Sequence, residues 1–348
     1  MRKLKLMRLI FPFCIFFLLL SCSEGPTVHN FSSVEVEDLF TDSVSIRAME
    51  VMDGSVAFAG TGGVFGSLDL ATDQIRAKQQ RYDTLYPEFR AVAHTATDFF
   101  MLSAGRPALL FKTGNDGLME LVYKEDDKGV FYDSMIFWSD REGIAIGDEM
   151  GGCLSILITR DGGTTWNKIL CADLPGAIPG EGAFAASNTN IAIVDDKAWI
   201  GTTEGRIYYS PDKGETWEVF NTPIRSDQPT RGIYSLHFQT DKIGIAMGGD
   251  YTEPTAMKGN KAITVDGGVT WSLVAEDSLP GYTSCVQFVP DSDGNEIVSV
   301  SYSGISYSAN RGEKWISLSE EPFYTFRFVN DSTAYAAGKF RISKLRFK

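Results

Sequence analysis

The sequence predicts an all-β fold: a seven-bladed β-propeller with four-stranded blades, its ring closed by an N-terminal strand. Three observations predict it. A turn motif recurs at 44- to 54-residue intervals, seven short apolar strands end in glycine or a polar turn, and no segment shows sustained helical periodicity with caps. At 348 residues the chain can bury a large core, and its apolar share of 43% excludes intrinsic disorder. A net charge of -13 disfavours nucleic acid and anionic headgroups as unspecific partners.

The motif is clearest in four segments, Thr159 to Trp166, Ser210 to Trp217, Thr264 to Trp271 and Ser308 to Trp315. Each reads hydroxyl, any residue, Asp or Asn, any, Gly, any, Thr or Lys, Trp. Worn copies lie upstream at Ser67 to Asp69 and Thr113 to Gly117, without the tryptophan. The acid or amide can accept backbone N–H groups, the glycine supplies a positive φ, and the tryptophan opens the returning strand with a large apolar surface. Asp161, Trp166, Asp212, Trp217, Asp266, Trp271, Asn310 and Trp315 are therefore expected to be structural. Asn310 supports this, since an amide fits a turn but cannot act as a general base.

Alternating runs flank each turn and make it a β-hairpin. Ahead of each hairpin comes a strand ending in Gly or a polar turn: Val56–Gly60, Phe99–Gly105, Gly143–Gly147, Lys197–Gly201, Ile243–Gly248, Glu296–Ser301 and Ala334–Gly338. A further apolar strand precedes it, as at Arg90–His94 or Tyr234–Phe238. Four strands per unit and seven units over residues 33–348 suit radial sheets that protect their own edges. The last unit has only three strands, ending at Arg341–Phe347, so Val34–Leu39 is expected to supply its fourth.

These residues resemble the BNR or Asp-box repeat proteins, and the fuller pattern is similar to the photosystem II stability and assembly factors and their bacterial relatives. The resemblance implies a propeller whose Asp boxes sit at the rim, away from the working face. It leaves activity open, because the superfamily holds assembly chaperones, sialidases and xyloglucan-cleaving glucanases.

At the amino end, Arg2, Lys3, Lys5 and Arg8 precede an apolar run from Leu9 to Leu20. Twelve helical residues span about 18 Å, too little for a bilayer core of about 30 Å, so residues 1–21 read as an export signal. Leu19-Leu20-Ser21-Cys22 resembles the lipobox of bacterial lipoproteins, which implies cleavage before Cys22 and its acylation. Ser23 stands where an inner-membrane retention signal would show Asp, so the expected address is the outer membrane of a bacterial envelope. Residues 22–32 then form the lipidated cysteine and tether. Of the later cysteines, Cys153 and Cys171 lie symmetrically about Gly162 and are expected to face each other across a hairpin, within reach of a disulfide. No cysteine or histidine spacing fits a metal site, and no cofactor is expected.

Chemistry is harder to read. Gly180-Glu181-Gly182-Ala183-Phe184-Ala185 imitates a dinucleotide fingerprint but follows a proline-containing linker and enters a strand, so it reads as an interblade connection. There is no nucleophile elbow. A sialidase would need a Phe/Tyr-Arg-Ile-Pro motif, and Phe340-Arg341-Ile342-Ser343 lacks the proline. The mouth formed by second-to-third-strand loops and by the starts of the innermost strands is the expected binding surface, with Arg47, Arg90, Arg106, Asp148, Glu149, Glu204, Arg231, Tyr234, Asp250, Tyr251 and Arg327 as candidates. Arginine and tyrosine are enriched at contact surfaces. The first reading is a lipid-anchored, monomeric, non-enzymatic platform that binds or assembles an envelope protein. The alternative is a glycan-binding protein or glycoside hydrolase, which would set two of the acids across a cleft.

Overall fold

A computed structural model of the chain describes residues 28–348, so the leader and Cys22 lie outside the described residues. The strands are all antiparallel and hydrogen-bonded into six sheets, five of them four-stranded. The second sheet is Phe89–His94, Phe99–Ser103, Ala108–Thr113 and Met119–Glu125, and the third is Tyr132–Phe137, Gly143–Glu149, Leu154–Thr159 and Asn167–Lys168. The fourth is Ile191–Val194, Lys197–Gly201, Arg206–Ser210 and Glu218–Asn221. The fifth is Arg231–Phe238, Gly244–Asp250, Lys261–Thr264 and Ser272–Leu273, and the sixth is Cys285–Phe288, Ile297–Ser301, Gly304–Ser308 and Ile316–Ser319.

The first sheet overturns the expectation of seven blades, closed by a separate N-terminal strand. It has six strands, in the order Thr325–Phe328, Thr333–Phe347, Val34–Met52, Ser55–Gly60, Val64–Asp69 and Ile75–Gln79. The fold is a propeller of six sheets, and the two expected terminal units are fused into one of them. The reason is strand continuity. Val34–Met52 is a single strand whose first part pairs with the C-terminal strand (Val34 opposite Phe347) and whose last part pairs with Ser55–Gly60 (Met52 opposite Ser55). Register breaks between Asp38 and Phe40 and between Thr41 and Ser45 bend it. The bend lets Tyr335, Ala337 and Ile342 pack on Ile46, Met49, Val56 and Phe58 within the same sheet. The strand ends expected at Leu39 and Gly338 are bends within continuous strands.

The core lies in the seams between sheets rather than at the centre. Ala91, Phe100 and Leu110 of the second sheet meet Met135, Ala145 and Leu157 of the third. Ile144, Ile146 and Ile156 of the third meet Ile191, Ile200 and Tyr208 of the fourth. Alternation along each strand sends one face into each seam, which is why second strands such as Ile297–Ser301 are buried throughout.

The four intact turns share one geometry at the hairpin bends. Asp161 Oδ1 accepts the Thr159 hydroxyl at 2.9 Å and the Thr165 N–H at 2.9 Å, and its Oδ2 accepts the Thr165 hydroxyl at 2.7 Å. The Thr159 oxygen in turn accepts the Gly163 N–H at 2.9 Å. Asp212 and Asp266 repeat the set. Asn310 keeps two of the three, accepting the Ser308 hydroxyl at 3.1 Å and the Lys314 N–H at 2.9 Å. Trp217, Trp271 and Trp315 donate Nε1–H to the carbonyls of Gly214, Gly268 and Gly312. Beside the third-sheet turn, Cys153 and Cys171 form a disulfide with a Cα–Cα distance of 5.4 Å.

The segment ahead of the first strand is docked as well. His29 Nδ1 lies 2.7 Å from Glu296 Oε2 and Nε2 lies 3.2 Å from Asp331, while Phe31 is buried against Tyr307 and Phe347. Burial works against the His29 cation, but hydrogen bonds to Glu296 and Asp331 outweigh it and raise the imidazole above its ordinary value. No helix among the described residues is long and apolar enough to cross a membrane.

Candidate functional site

The innermost strands begin at one mouth of the propeller, and there a pocket of about 390 Å³ opens. Its Arg47, Arg90, Phe184 and tyrosines come from four sheets and three connections. Arg47 is carried by the bent strand, Arg90 begins Phe89–His94 with Phe89, and Tyr234 belongs to Arg231–Phe238. Tyr282 and Tyr324 lie just ahead of the innermost strands of the sixth and first sheets. Tyr251 and Tyr302 sit in second-to-third-strand connections, and Phe184 lies in the long connection between the third and fourth sheets.

Aromatic rings make the wall. Phe184 stacks on Tyr234 with centroids 3.7 Å apart and planes 3° from parallel, and Tyr282 meets Tyr234 edge-on at 4.9 Å. Tyr302 lies 5.2 Å from Tyr282 and donates its hydroxyl to the Tyr251 carbonyl, tying the Asp250–Asn260 loop to the next sheet. The Arg47 guanidinium carbon is 3.8 Å from the Tyr324 ring centre. Burial raises the Tyr234 and Tyr282 phenols well above their usual range, so both are neutral; Tyr234 donates to Thr230 O at 2.7 Å.

The charge here is positive and only partly compensated. Among the described residues Arg47 has no carboxylate within 4.0 Å, whereas Arg90 pairs with Glu88 and donates to the Ala185 carbonyl at 3.2 Å. Desolvation, then the charge of Arg90, lowers the Arg47 pKa. An incoming anion would relieve both penalties. Arg106 lines a neighbouring pocket of about 320 Å³ that shares Arg90 and Phe131 with the first.

The remaining candidates do not line the pocket. Arg231 is engaged by Asp227, Asp250 and Glu253, and Asp250 is buried, accepting Arg231 and the Thr252 N–H. Glu149 accepts Gly152 N–H at 2.7 Å and Gly180 N–H at 3.2 Å, fixing the connection after the third sheet. Glu204 sits half-buried in the turn before Arg206. Arg327 is buried inside the channel on Glu50 (2.9 Å), Thr325 and backbone carbonyls of Phe326 and Ser187. Placing a residue at the start of an inner strand or in a loop says nothing about which side of the strand it leaves, and Arg231, Asp250, Glu149 and Arg327 leave toward partners outside the pocket.

Asp148 lies behind the pocket wall. Its Oδ1 accepts the Ala183 N–H at 3.2 Å, and it faces Asp133, a fully buried acid with no donor opposite either oxygen. Burial, followed by the charge of Asp148, pushes Asp133 well above the carboxylate range. Burial also pushes Asp148 up to about 6. The two carboxyls can hydrogen-bond only by sharing a proton. Among the described residues no carboxylate lines the aromatic pocket itself, so Asp148, Glu149, Glu204 and Asp250 are not arrayed across it.

Sequence reasoning missed Phe184, Tyr282 and Tyr302. Tyr302 was legible, because Tyr302-Ser303 joins the second and third strands of its sheet, as the loop rule requires. Phe184 was passed over because its segment was read as entering a strand, whereas it lies in a connection ahead of Ile191–Val194.

Comparison with known proteins adds fold rather than activity. A family model described as sortilin, neurotensin receptor 3 (Sortilin-Vps10) matches residues 154–304, the stretch that holds the Asp161, Asp212 and Asp266 turns. No curated protein matches the sequence. Among solved structures, one described as YCF48 bound to D1 peptide is similar with a TM-score of 0.65 and 13% identity, covering 93% of this chain and 100% of that one. YCF48 from Cyanidioschyzon merolae has a TM-score of 0.65 at 13% identity, covering 90% and 99%. The WD40 repeats of RRP9 have a TM-score of 0.64 at 10% identity, covering 92% and 100%. At such identities the likeness establishes the β-propeller fold.

Proposed function

We propose that this propeller is a non-enzymatic docking platform that holds a polypeptide segment at the mouth lined by Arg47, Arg90 and the tyrosines. The observation that carries the reading is the Arg47 guanidinium, stacked on Tyr324 and, among the described residues, without a carboxylate within 4.0 Å, beside a wall of Tyr234, Tyr251, Tyr282 and Tyr302. Tyrosine offers rigid amphipathic contact area at small entropic cost, and an uncompensated arginine awaits a carboxylate or carbonyl. That one similar propeller is described with a bound peptide supports the same kind of ligand. The proposal extends to its address: a monomer acylated at Cys22 and held at the outer face of a bacterial envelope. The docking of His29 and Phe31 would then keep the propeller a few residues from the lipid.

The test is affinity capture from envelope membranes with the wild-type protein and the Arg47→Glu/Arg90→Glu variant, alongside a glycan array. A protein held by the wild type, lost by the variant and replaced by a synthetic peptide from its own sequence supports the reading. Identical captures, or a specific glycan signal abolished by the variant, would overturn it. Metabolic labelling with a fatty-acid probe, lost on Cys22→Ala, tests the anchor.

A further inference from the structure

The seam between the first and second sheets holds a second, independent feature. In four turns the glycine two residues after the acid or amide packs on a neighbouring side chain. A Cβ on Gly163 would overlap the Phe100 ring, and one on Gly214 would meet Ile158 at 3.0 Å. One on Gly268 would meet Trp199 at 3.1 Å and one on Gly312 would meet Val274 at 3.4 Å. Gly117 occupies the same position in the worn turn of the second sheet, and around it no heavy atom lies within 4 Å. The pairing register sets Met119 opposite Thr113, where the third sheet sets Trp166 opposite Thr159, so a narrower methionine holds the tryptophan's place.

The space so left is a groove of about 420 Å³, floored by Ala57 and Phe65 of the first sheet and by Phe99 and Met119 of the second. Phe65, Phe99 and Met119 lie on the margin of the buried cluster formed by Ala59, Phe89, Met101 and Phe111, so the groove opens directly onto core. Its outer lip is Arg76 and Lys78, both exposed and, among the described residues, without a carboxylate within 4.0 Å. Two unpaired cations beside an apolar slot are conspicuous in a chain of net charge -13.

We infer that this groove docks a partner segment that inserts one large aromatic side chain, flanked by carboxylates, where the repeat has lost its own tryptophan. Size argues for the ring, because the other seams fill this place with Trp166, Trp271 or Trp315 and Met119 fills only part of it. Charge argues for acidic neighbours, since among the described residues neither Arg76 nor Lys78 is held in an ion pair, Asp69 acting on Arg76 only from longer range. The surface is separate from the mouth and does not rest on its reading.

A fluorophore-labelled acetyl-Asp-Glu-Trp-Glu-Asp-amide peptide, titrated into the intact chain by anisotropy, tests the inference. Replacing the peptide tryptophan by alanine, or its acids by lysines, is expected to weaken binding at least tenfold. So should Ala57→Phe, which fills the slot. Arg76→Glu/Lys78→Glu, a surface change that does not threaten folding, should also weaken binding tenfold and remove its salt dependence. Arg47→Glu/Arg90→Glu should leave binding unchanged. The inference falls if both groove variants bind like wild type, if only the mouth variant loses the peptide, if the peptide tryptophan is immaterial, or if the groove variants instead abolish self-association of the chain.

Discussion

Trp166 in the seam between the second and third sheets is edge-on to Phe137 at 5.7 Å and to Phe100 at 6.4 Å, and Phe100 stacks on Phe137 at 4.7 Å. In the neighbouring seam the equivalent turn, Thr113 to Gly117, has no tryptophan, and the Thr113 hydroxyl accepts Phe99 N–H instead of its own glycine. Both hairpins close, as Gly117 N–H still reaches the Gly114 carbonyl at 3.0 Å. The difference shows that the turn and the packing are separable. A hairpin needs only a positive-φ glycine and an acceptor, whereas sealing a seam needs an aromatic plug.

The comparison can be broken in several ways, and the largest effect is expected at the plug. Trp166→Ala should cost about 3–5 kcal/mol by chemical denaturation, the range for removing a large buried ring. A loss under about 1 kcal/mol would mean that Phe100 and Phe137 alone seal the seam. The two glycines form the next test. Gly163→Ala must both strain a φ of 75° and displace Phe100, while Gly117→Ala at a φ of 76° meets open space. The first should cost roughly 2–4 kcal/mol and the second about 1 kcal/mol, the strain alone. Equal costs would show that the second seam is packed after all.

Polar contributions to the turns are smaller. Asp161→Ala removes three hydrogen bonds and should cost about 1–3 kcal/mol, against less than about 0.5 kcal/mol for Asn115→Ala in the worn turn. The last effect is a pH dependence arising from an acid pair in the third sheet. Asp133 and Asp148 are held above the range they have when unfolded, so the folded state binds more protons and stability falls as pH rises from about 4 through about 6. Asp148→Asn should flatten that fall and gain on the order of 1–2 kcal/mol at pH 7, read from denaturation midpoints at pH 4, 6 and 7.5. An unchanged pH profile would mean that the pair does not share a proton.

Periodicity was the legible part of the fold. The Trp-bearing turns, the Gly-ended strands and the pairing distance of Cys153 and Cys171 depend on residues close in sequence, so their types are visible along the chain. The count of sheets was not, because it depends on whether Val34–Met52 and Thr333–Phe347 break or bend, and a bend leaves no compositional trace. At the mouth, Arg47, Arg90, Tyr234 and Tyr251 were placed by the topology of inner strands and loops. Asp148, Arg231, Asp250 and Arg327 were placed in the same region but are turned toward Asp133, Asp227, Thr252 and Glu50.

Local chemistry, then, was written in the chain: where it turns, which strands are buried on both faces, and which turns carry a tryptophan. Tertiary contact alone decided that Val34–Met52 and Thr333–Phe347 share one sheet, that Phe184 stacks on Tyr234, and that among the described residues Arg47 has no acid within 4.0 Å while Arg327 has one. The physical reason is range. Turns and strands are set by neighbours within a few residues, but the partner of a charge is whatever side chain the closed molecule brings within about 4 Å, and that can lie hundreds of residues away, as Glu50 does from Arg327.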